Sequence, residues 1–169
     1  LINEILLDAG DTVIVESFTF AGALSNLRRR GVNFVGVDVD QKGIRMDHLK
    51  DILEDLKTNG IRPKYIYTIP TLQNPTGTVM TMERRYQLIQ LSEEYEVPIF
   101  EDECYADLIF EGEYEKAIRS LDDSNRVLHI GSFSKSLGPG LRLGYVVASW
   151  DVMSRIISRK SDAGTGVMD

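Results

Sequence analysis

The sequence of 169 residues has few of the residues that build disulfides and metal sites. It contains one cysteine, Cys104, so an internal disulfide and a cysteine-rich zinc site are both excluded. The two histidines, His48 and His129, give no basis for a histidine metal site, and we expect no metal. A lone cysteine is typical of a reducing compartment, so the expected location is cytoplasmic.

Positive charge is also scarce. The 19 Lys+Arg residues are outnumbered by 26 Asp+Glu residues, which gives a net charge of −7. Nucleic-acid binding needs clustered positive charge, and the one dense basic run, residues 28–30, suits the solvated last turn of a helix. No apolar run reaches the roughly 18 residues of a membrane-spanning helix. We therefore expect this segment to contact neither nucleic acid nor membrane.

The two ends lack the features of a complete chain. The sequence opens without an initiating Met, a basic segment or a signal cleavage site. Residues 163–169 do not end any helix or strand pattern. Apolar residues make up 43% of the chain, as in ordinary globular proteins, and the length suits one domain of three layers. We expect residues 1–169 to be one domain of a longer polypeptide.

Short apolar runs alternate with longer amphipathic segments along the chain. The short runs are rich in β-branched residues and nearly continuously apolar, which is typical of strands buried on both faces. They lie at residues 12–15, 34–37, 65–69, 97–100, 127–130 and 145–148. Helical spacing is found at residues 20–30, 46–58, 81–95 and 150–160. The alternation predicts an α/β fold, a three-layer α/β/α sandwich with a mostly parallel sheet.

Helix ends and apolar faces can be assigned within this pattern. Thr81 is predicted to cap the helix that follows it, with Arg84 at the third position. Gly31 and Gly60 stand where two helices should end. The predicted apolar face of the helix at residues 81–95 is Tyr86, Leu88, Ile89 and Leu91.

Ligands of such folds bind at the carboxyl ends of the strands, and the loops there carry unusual residues. Residues 70–77 contain two prolines and a glycine, which stiffen the backbone and hold Asn74 away from helical angles. A stiff loop that presents one amide is well suited to place a hydrogen-bond donor. The alternative is an ordinary Asn-Pro turn.

Residues 101–105, Glu-Asp-Glu-Cys-Tyr, follow the run at 97–100. Three acids at a buried strand end are unfavourable unless each has a partner, and a cationic ligand would supply one. Alternatively, two or three of them point to solvent at the edge of the sheet. Tyr105 could direct its hydroxyl to the same pocket as Asp102. Cys104 is interpreted as a small core residue and not as a nucleophile, because no cation nearby would activate it.

Residues 131–140 surround one lysine, Lys135, with glycine and small hydroxyl residues. Desolvation on such a loop would favour the neutral amine that a Schiff-base lysine needs. Arg142, beside Ser132 and Ser134, would form a phosphate-binding site. The alternatives are a surface loop whose lysine aids solubility and a strand-edge arginine in a surface ion pair.

Taken together, the four loops resemble the fold-type I pyridoxal-phosphate aminotransferases, most closely the branch of aromatic and 2-aminoadipate aminotransferases. The order carries the resemblance: Asn74 precedes Asp102 by 28 residues, Asp102 precedes Lys135 by 33, and Arg142 follows. It covers essentially the whole sequence, as most of the family's large, cofactor-binding domain. The N-terminal segment and the C-terminal small domain would lie outside residues 1–169.

The resemblance implies a role for each motif residue. Lys135 would hold pyridoxal 5'-phosphate as a Schiff base and move the substrate proton, while Asp102 would pair with the pyridinium nitrogen. Asn74 and Tyr105 would hydrogen-bond the phenolic oxygen. The expected catalytic residues are Lys135, Asp102 and Tyr105. The phosphate would be bound by Ser132 and Arg142, with Ser134 as a further contact.

An aromatic residue should cover the cofactor ring, and the matching stretch, residues 16–20, offers Phe20. Here the sequence departs from the family, because the usual tyrosine hydroxyl and the proline before it are missing. Stacking needs only an aromatic face. The alternative is that Phe20 starts a helix and packs in the core.

The resemblance implies an aminotransferase that exchanges an amino group between an amino acid and a 2-oxo acid, in a full-length homodimer. One alternative is the effector-binding domain of a winged-helix transcription regulator, which shares this fold and cofactor site. Another is a different pyridoxal-phosphate enzyme, such as a lyase or decarboxylase. The remaining alternative is an unrelated α/β protein with a coincidental set of motifs.

Overall fold

The computed structural model describes residues 2–162, with side chains described to residue 159. The α-helices are α1 (Ile2–Leu6), α2 (Ala21–Arg29), α3 (Met46–Thr58), α4 (Met82–Glu94) and α5 (Trp150–Asp162). The strands are β1 (Thr12–Glu16), β2 (Asn33–Val37), β3 (Val39–Asp40), β4 (Gly43–Ile44), β5 (Ile66–Thr68), β6 (Ile99–Glu103), β7 (Val127–Ser132) and β8 (Gly144–Val147). Turns of 3-10 helix lie at Ala106–Leu108, Ile118–Leu121 and Pro139–Leu141.

Six strands form one mixed sheet in the order β2-β1-β5-β6-β7-β8. The first five are mutually parallel, and β8 runs antiparallel to β7. The parallel strands therefore end at one edge of the sheet, and the loops that carry the predicted site residues leave from that edge. The remaining strands, β3 and β4, form a separate antiparallel hairpin.

Two hydrophobic cores lie on opposite faces of the sheet. Successive strand residues point to opposite faces, so Ile14, Ile66 and Ile99 pack with α3 and α4. Their neighbours Val13 and Tyr67 pack on the other face with α1 and α2. The described residues thus form the three-layer α/β/α sandwich with a mostly parallel sheet that the alternation predicted.

Helix ends agree with the sequence pattern more closely than strand ends do. The hydroxyl of Thr81 accepts a hydrogen bond from the amide of Arg84, which confirms the predicted cap. Gly31 and Gly60 follow α2 and α3 with φ of 69°, in the left-handed region that favours glycine. The predicted apolar face of α4 was wrong at Tyr86, which is 52% exposed.

Helix α1, the β3–β4 hairpin and the three 3-10 turns were not predicted. The predicted strand at 97–100 was displaced, because β6 begins at Ile99 and continues through Glu103. The acids expected in a loop are therefore part of the strand. Among residues 2–162, every helix falls short of the length and apolar character needed to cross a membrane.

Candidate active site

Strand β6 distributes its three acids between the two faces of the sheet. Glu101, Asp102 and Glu103 are all buried, so the interpretation that they point to solvent was wrong. Alternation sends Glu101 and Glu103 toward the face of α4 and sends Asp102 toward the opposite face. Three neighbouring carboxyl groups thus lie in two different environments.

On the α4 face, both glutamates find partners within the protein. Glu101 accepts hydrogen bonds from the amides of Ile118 (2.6 Å) and Arg119 (3.0 Å), and its Oε2 lies 2.8 Å from Nδ1 of His129. Glu103 Oε1 accepts from the Thr71 hydroxyl at 2.8 Å and from Arg85 at 3.3 Å. These partners are supplied by the fold, so neither glutamate needs the cationic ligand that the sequence suggested.

Burial has a further effect on Glu103. Desolvation and the nearby charge of Glu101 raise the pKa of Glu103 to about 7, against the opposing effects of Thr71 and Arg85. Its second oxygen, Oε2, is buried without a hydrogen-bond partner among the described residues. Glu103 is therefore a buried structural carboxyl group whose surroundings favour its protonated form.

On the other face, Asp102 is held by two donors. The Tyr67 hydroxyl donates to Oδ2 at 2.7 Å, and the Cys104 thiol donates to Oδ1 at 2.8 Å. Burial and the Asp102 charge raise the pKa of the Cys104 thiol, which supports its interpretation as a packing residue and not a nucleophile. Both donors fix the direction of the Asp102 carboxylate.

Asp102 and Phe20 line the same cavity, of about 410 Å³. Phe20 immediately precedes α2 and is 47% exposed, so the alternative in which it packs in the core was wrong. The cavity also has apolar walls from β7, β8 and α5, formed by Ile130, Val146 and Ile156. A carboxylate and an accessible aromatic ring therefore share one open, mostly apolar cavity.

Asn74, Tyr105 and Lys135 form the adjoining part of the site. Nδ2 of Asn74 donates to the Tyr105 hydroxyl at 3.2 Å. Nζ of Lys135 lies 5.9 Å from the centroid of the Tyr105 ring, a cation–π distance. Its charge also lowers the pKa of the Cys104 thiol, against the larger effects of burial and Asp102. Three segments far apart in sequence thus meet around one tyrosine, next to Asp102.

The expected desolvation of Lys135 was wrong, because its side chain is exposed. The backbone turns beyond β7, where the amides of Leu137 and Gly138 both donate to the carbonyl of Phe133. This turn lifts Lys135 off the buried part of the strand. Its ammonium is accessible and borders the ring of Tyr105.

The predicted phosphate residues lie at the same edge but do not all meet. Oγ of Ser132 accepts from the amide of Ser134 at 3.2 Å, so these two serines form one turn. Arg142 is exposed, has a left-handed φ of 53°, and donates to the carbonyl of Pro139 at 3.3 Å. It precedes β8 and does not begin it, so its guanidinium contacts its own loop and not Ser132.

Sequence reasoning missed the residues that hold the site together. Gln73, beside Asn74, donates from Nε2 to Glu16 at 2.8 Å and to the carbonyl of Phe18 at 2.5 Å. Its Oε1 accepts from the amide and the hydroxyl of Thr76. The signal that could have found it is a glutamine inside an otherwise rigid loop. The loop before Phe20 and the loop of Asn74 are therefore bonded to each other.

Comparison with known proteins places these features in a family. The sequence matches the model of the class I and II aminotransferases over residues 1–163. An uncharacterized aminotransferase of Saccharolobus solfataricus is 42% identical over 156 residues, covering 92% of this chain and 39% of that protein. Aromatic-amino-acid aminotransferase 1 of Thermococcus litoralis is 38% identical over 148 residues, covering 88% and 36%.

A different kind of relative is an uncharacterized HTH-type transcriptional regulator of Bacillus subtilis. It is 31% identical over 166 residues, which cover 98% of this chain and 33% of the regulator. The chain thus spans less than two fifths of the length of each of these three relatives, from 33% to 39%.

Solved structures agree with the sequence matches. An archaeal alanine:glyoxylate aminotransferase superposes with a TM-score of 0.93 at 36% identity, covering 96% of this chain and 40% of that one. A kynurenine aminotransferase of Pyrococcus horikoshii, solved in complex with PMP, gives 0.90 at 35% identity, covering 95% and 40%. The chain belongs to the family of class I and II aminotransferases.

Proposed function

We propose that the full-length protein is a pyridoxal-phosphate-dependent aminotransferase that transfers an amino group between an amino acid and a 2-oxo acid. The observation that carries the proposal is the meeting of Asn74, Tyr105 and Lys135 beside the buried carboxylate of Asp102. In this proposal residues 1–169 are most of the cofactor-binding large domain, and the remaining three fifths of the relatives' length supply the rest.

The residues fit pyridoxal phosphate in their donor chemistry. A buried carboxylate suits a protonated pyridine nitrogen, and the accessible ring of Phe20 lines the same cavity. The amide of Asn74 and the hydroxyl of Tyr105 are donors that suit a phenolic oxygen. The side chain of Lys135 is exposed, so its amine, once deprotonated, is accessible to an aldehyde. Ser132 and Ser134 offer hydroxyls for a phosphate, and Arg142 would need to turn from the Pro139 carbonyl to join them.

When bound, the cofactor would supply an electron-accepting ring for cleavage of a bond to the substrate α-carbon. The protein would keep a proton on the ring nitrogen through Asp102, whose carboxylate is oriented by Tyr67 and Cys104. The amine of Lys135, once free of the cofactor, would be the group that holds and moves the proton of the substrate α-carbon. Tyr105 would hold the phenolic oxygen together with Asn74.

A second candidate is an effector-binding domain of a transcription regulator. The observation that favours it is the similarity to the HTH-type regulator, which extends over 98% of this chain. The same cofactor residues would be needed in both cases. The two candidates differ outside residues 1–169, where a regulator would carry a DNA-binding domain.

The test uses the full-length protein supplied with pyridoxal phosphate. We expect an absorbance band of the lysine-bound cofactor and the conversion of an amino acid to its 2-oxo acid when a second 2-oxo acid is present. Aromatic amino acids, alanine, kynurenine and 2-aminoadipate form the first panel, because the names of the relatives and neighbours include them.

Release of ammonia or carbon dioxide without a new amino acid would replace transamination with lyase or decarboxylase chemistry. A cofactor band without turnover, together with specific DNA binding, would favour the regulator. The proposal includes a homodimer, which light scattering of the full-length protein would test.

A further inference from the structure

The side chain of Arg85 is 0% exposed, which is exceptional for an arginine. It lies on α4, on the face of the sheet away from the cavity. Its guanidinium makes five hydrogen bonds. Nε donates to the carbonyl of Met80 (3.0 Å), Nη1 to Glu103 (3.3 Å) and the carbonyl of Lys116 (3.1 Å), and Nη2 to the carbonyl of Pro70 (3.2 Å) and the hydroxyl of Thr71 (3.0 Å).

These contacts close the base of the loop that carries Asn74. Pro70 and Met80 are the two ends of the loop, and both of their carbonyls bind the same guanidinium. The amide of Met80 also donates to the carbonyl of Pro70 at 2.7 Å. Within the loop, the Gly77 amide donates to the Gln73 carbonyl. A rigid base and a rigid interior leave Asn74 few positions to occupy.

The same guanidinium reaches the strand of Asp102. Its contact with Glu103 is the one bond to β6, and Thr71 donates to the same Glu103 oxygen at 2.8 Å. Glu103 is the residue next to Asp102 and two before Tyr105. Arg85 therefore joins the base of the Asn74 loop to the strand that leads to Tyr105, the hydrogen-bond partner of Asn74.

We propose that Arg85 is a positioning residue that sets the distance between Asn74 and Tyr105, and through them the hydrogen bonding of the cofactor's phenolic oxygen. The part that concerns the cofactor rests on the proposed function. Arg85 touches neither cofactor nor substrate, and it acts through the loop it closes.

The neighbouring residue, Arg84, provides a matched control. It lies on the same helix, but it donates to the carbonyl of Ile44 and pairs with Asp40 at 3.0 Å, both in the β3–β4 hairpin. Arg84→Lys and Arg85→Lys are the same chemical change one residue apart. Lysine keeps the positive charge but replaces five donors in a planar fork with a single ammonium group, so it cannot span both ends of the loop.

The first measurement is amide hydrogen exchange of the full-length protein without added cofactor. We expect Arg85→Lys to accelerate exchange at the amides of Gly77 and Met80 by about tenfold or more, because the loop opens more often. Arg84→Lys should instead accelerate exchange in residues 39–44 and leave the loop unchanged. Equal exchange at Gly77 and Met80 in Arg85→Lys and the unmodified protein would overturn the proposal.

The second measurement is the pH midpoint at which the absorbance of the lysine-bound cofactor changes. Donors to the phenolic oxygen stabilise its negative charge and so weaken proton binding at the adjacent nitrogen. We expect Arg85→Lys to raise the midpoint by about one pH unit. Arg84→Lys should not shift it. In an Asn74→Ala background, Arg85→Lys should add no further shift, because the residue through which it acts is gone.

A full additional shift in that background would show that Arg85 acts by another route and would overturn the proposal. If Arg85→Lys does not fold, Thr71→Val removes one of the five contacts, and we expect a smaller change in the same direction in both measurements. Absence of a lysine-bound band in the unmodified protein would reject the proposed function, while the exchange rates would still decide whether Arg85 closes the loop.

Discussion

Two faces of one strand put identical chemical groups to different uses. On the α4 face of β6, Glu101 and Glu103 are hydrogen-bonded to partners from within the fold. On the opposite face, Asp102 is oriented by two donors but borders an open cavity. A run of three acids therefore contains two residues of the framework and one that remains accessible to a ligand.

The difference shows how a carboxylate is kept available for chemistry inside a protein. Glu101 accepts from two backbone amides, which every residue except proline supplies. Asp102 accepts from a tyrosine hydroxyl and a thiol, which orient it without a neutralising cation. An external cation can then complete the environment of Asp102, as a protonated ring nitrogen would.

The largest expected effect concerns Lys135. In the full-length protein, Lys135→Ala should abolish the lysine-bound cofactor band and reduce transamination by about 10²–10⁴-fold, because the proton-transferring amine is removed. The free energy of unfolding should change by less than about 0.5 kcal/mol, since Lys135 is exposed. Lys42→Ala, another exposed loop lysine, is the control and should change neither property. Normal transamination by Lys135→Ala would contradict the assignment.

The next effect concerns the closed face and pH. The pKa of Glu103 is raised to about 7 in the folded protein, mainly by burial, from an ordinary value of 4.5. Between these values the folded state holds a proton that the unfolded state has released, so stability falls as pH rises and levels off above about pH 7. The expected contribution of Glu103 is about 3 kcal/mol.

Urea unfolding of the full-length protein at pH 5 and pH 8 measures this slope. Glu103→Gln cannot titrate, so its stability should depend less on pH than that of the unmodified protein. Glu16, which burial also raises to a pKa of about 7, should retain its own contribution in that variant. An unchanged slope in Glu103→Gln would contradict the raised pKa of Glu103.

The smallest effect comes from the same acid-to-amide substitution on each face of β6, Glu101→Gln on one and Asp102→Asn on the other. Both oxygens of Glu101 accept from backbone amides, so an amide group must oppose one N–H, and we expect a loss of about 2 kcal/mol in stability. Asp102→Asn can pair with the Tyr67 hydroxyl in either direction, so it should remain within about 1 kcal/mol.

For activity we expect the opposite order, with the larger loss in Asp102→Asn. Asp102→Asn should slow transamination by about 10²-fold, because the carboxylate that would keep the ring nitrogen protonated is gone. Glu101→Gln should retain most of the activity at temperatures where it stays folded. Urea unfolding and steady-state rates of both variants test this comparison. Equal losses of stability and of activity in the two variants would contradict the distinction between the two faces.

Local sequence determined some elements fully. Helix α3 has the predicted bounds, 46–58, because its apolar and charged residues keep a strict helical spacing. The predicted bounds of β6 were displaced because acids are usually found in loops. The partners that allow these acids in a strand come from distant segments. The β3–β4 hairpin was missed since its two-residue strands depend on docking, with the Thr81 amide donating to the carbonyl of Lys42.

The candidate site was predictable in its order but not in its framework. Asn74, Tyr105 and Lys135 were expected at one edge of the sheet, and they lie there. Arg85 gave no signal, because a charged residue on an amphipathic helix normally faces solvent. Three of its five partners are backbone carbonyls 5, 15 and 31 residues away, which local periodicity does not register.

The amide of Gln73 has a consequence for the aromatic residue at position 20. It donates to the carbonyl of Phe18, so a residue from another loop fixes the segment that leads to residue 20. A hydrogen bond from Gln73 thus holds the backbone there, in a segment that contains no proline. We therefore expect Phe20→Tyr to leave the hydrogen bonds of Gln73 in place, so that the ring lining the cavity and the bonds that anchor its loop can change independently.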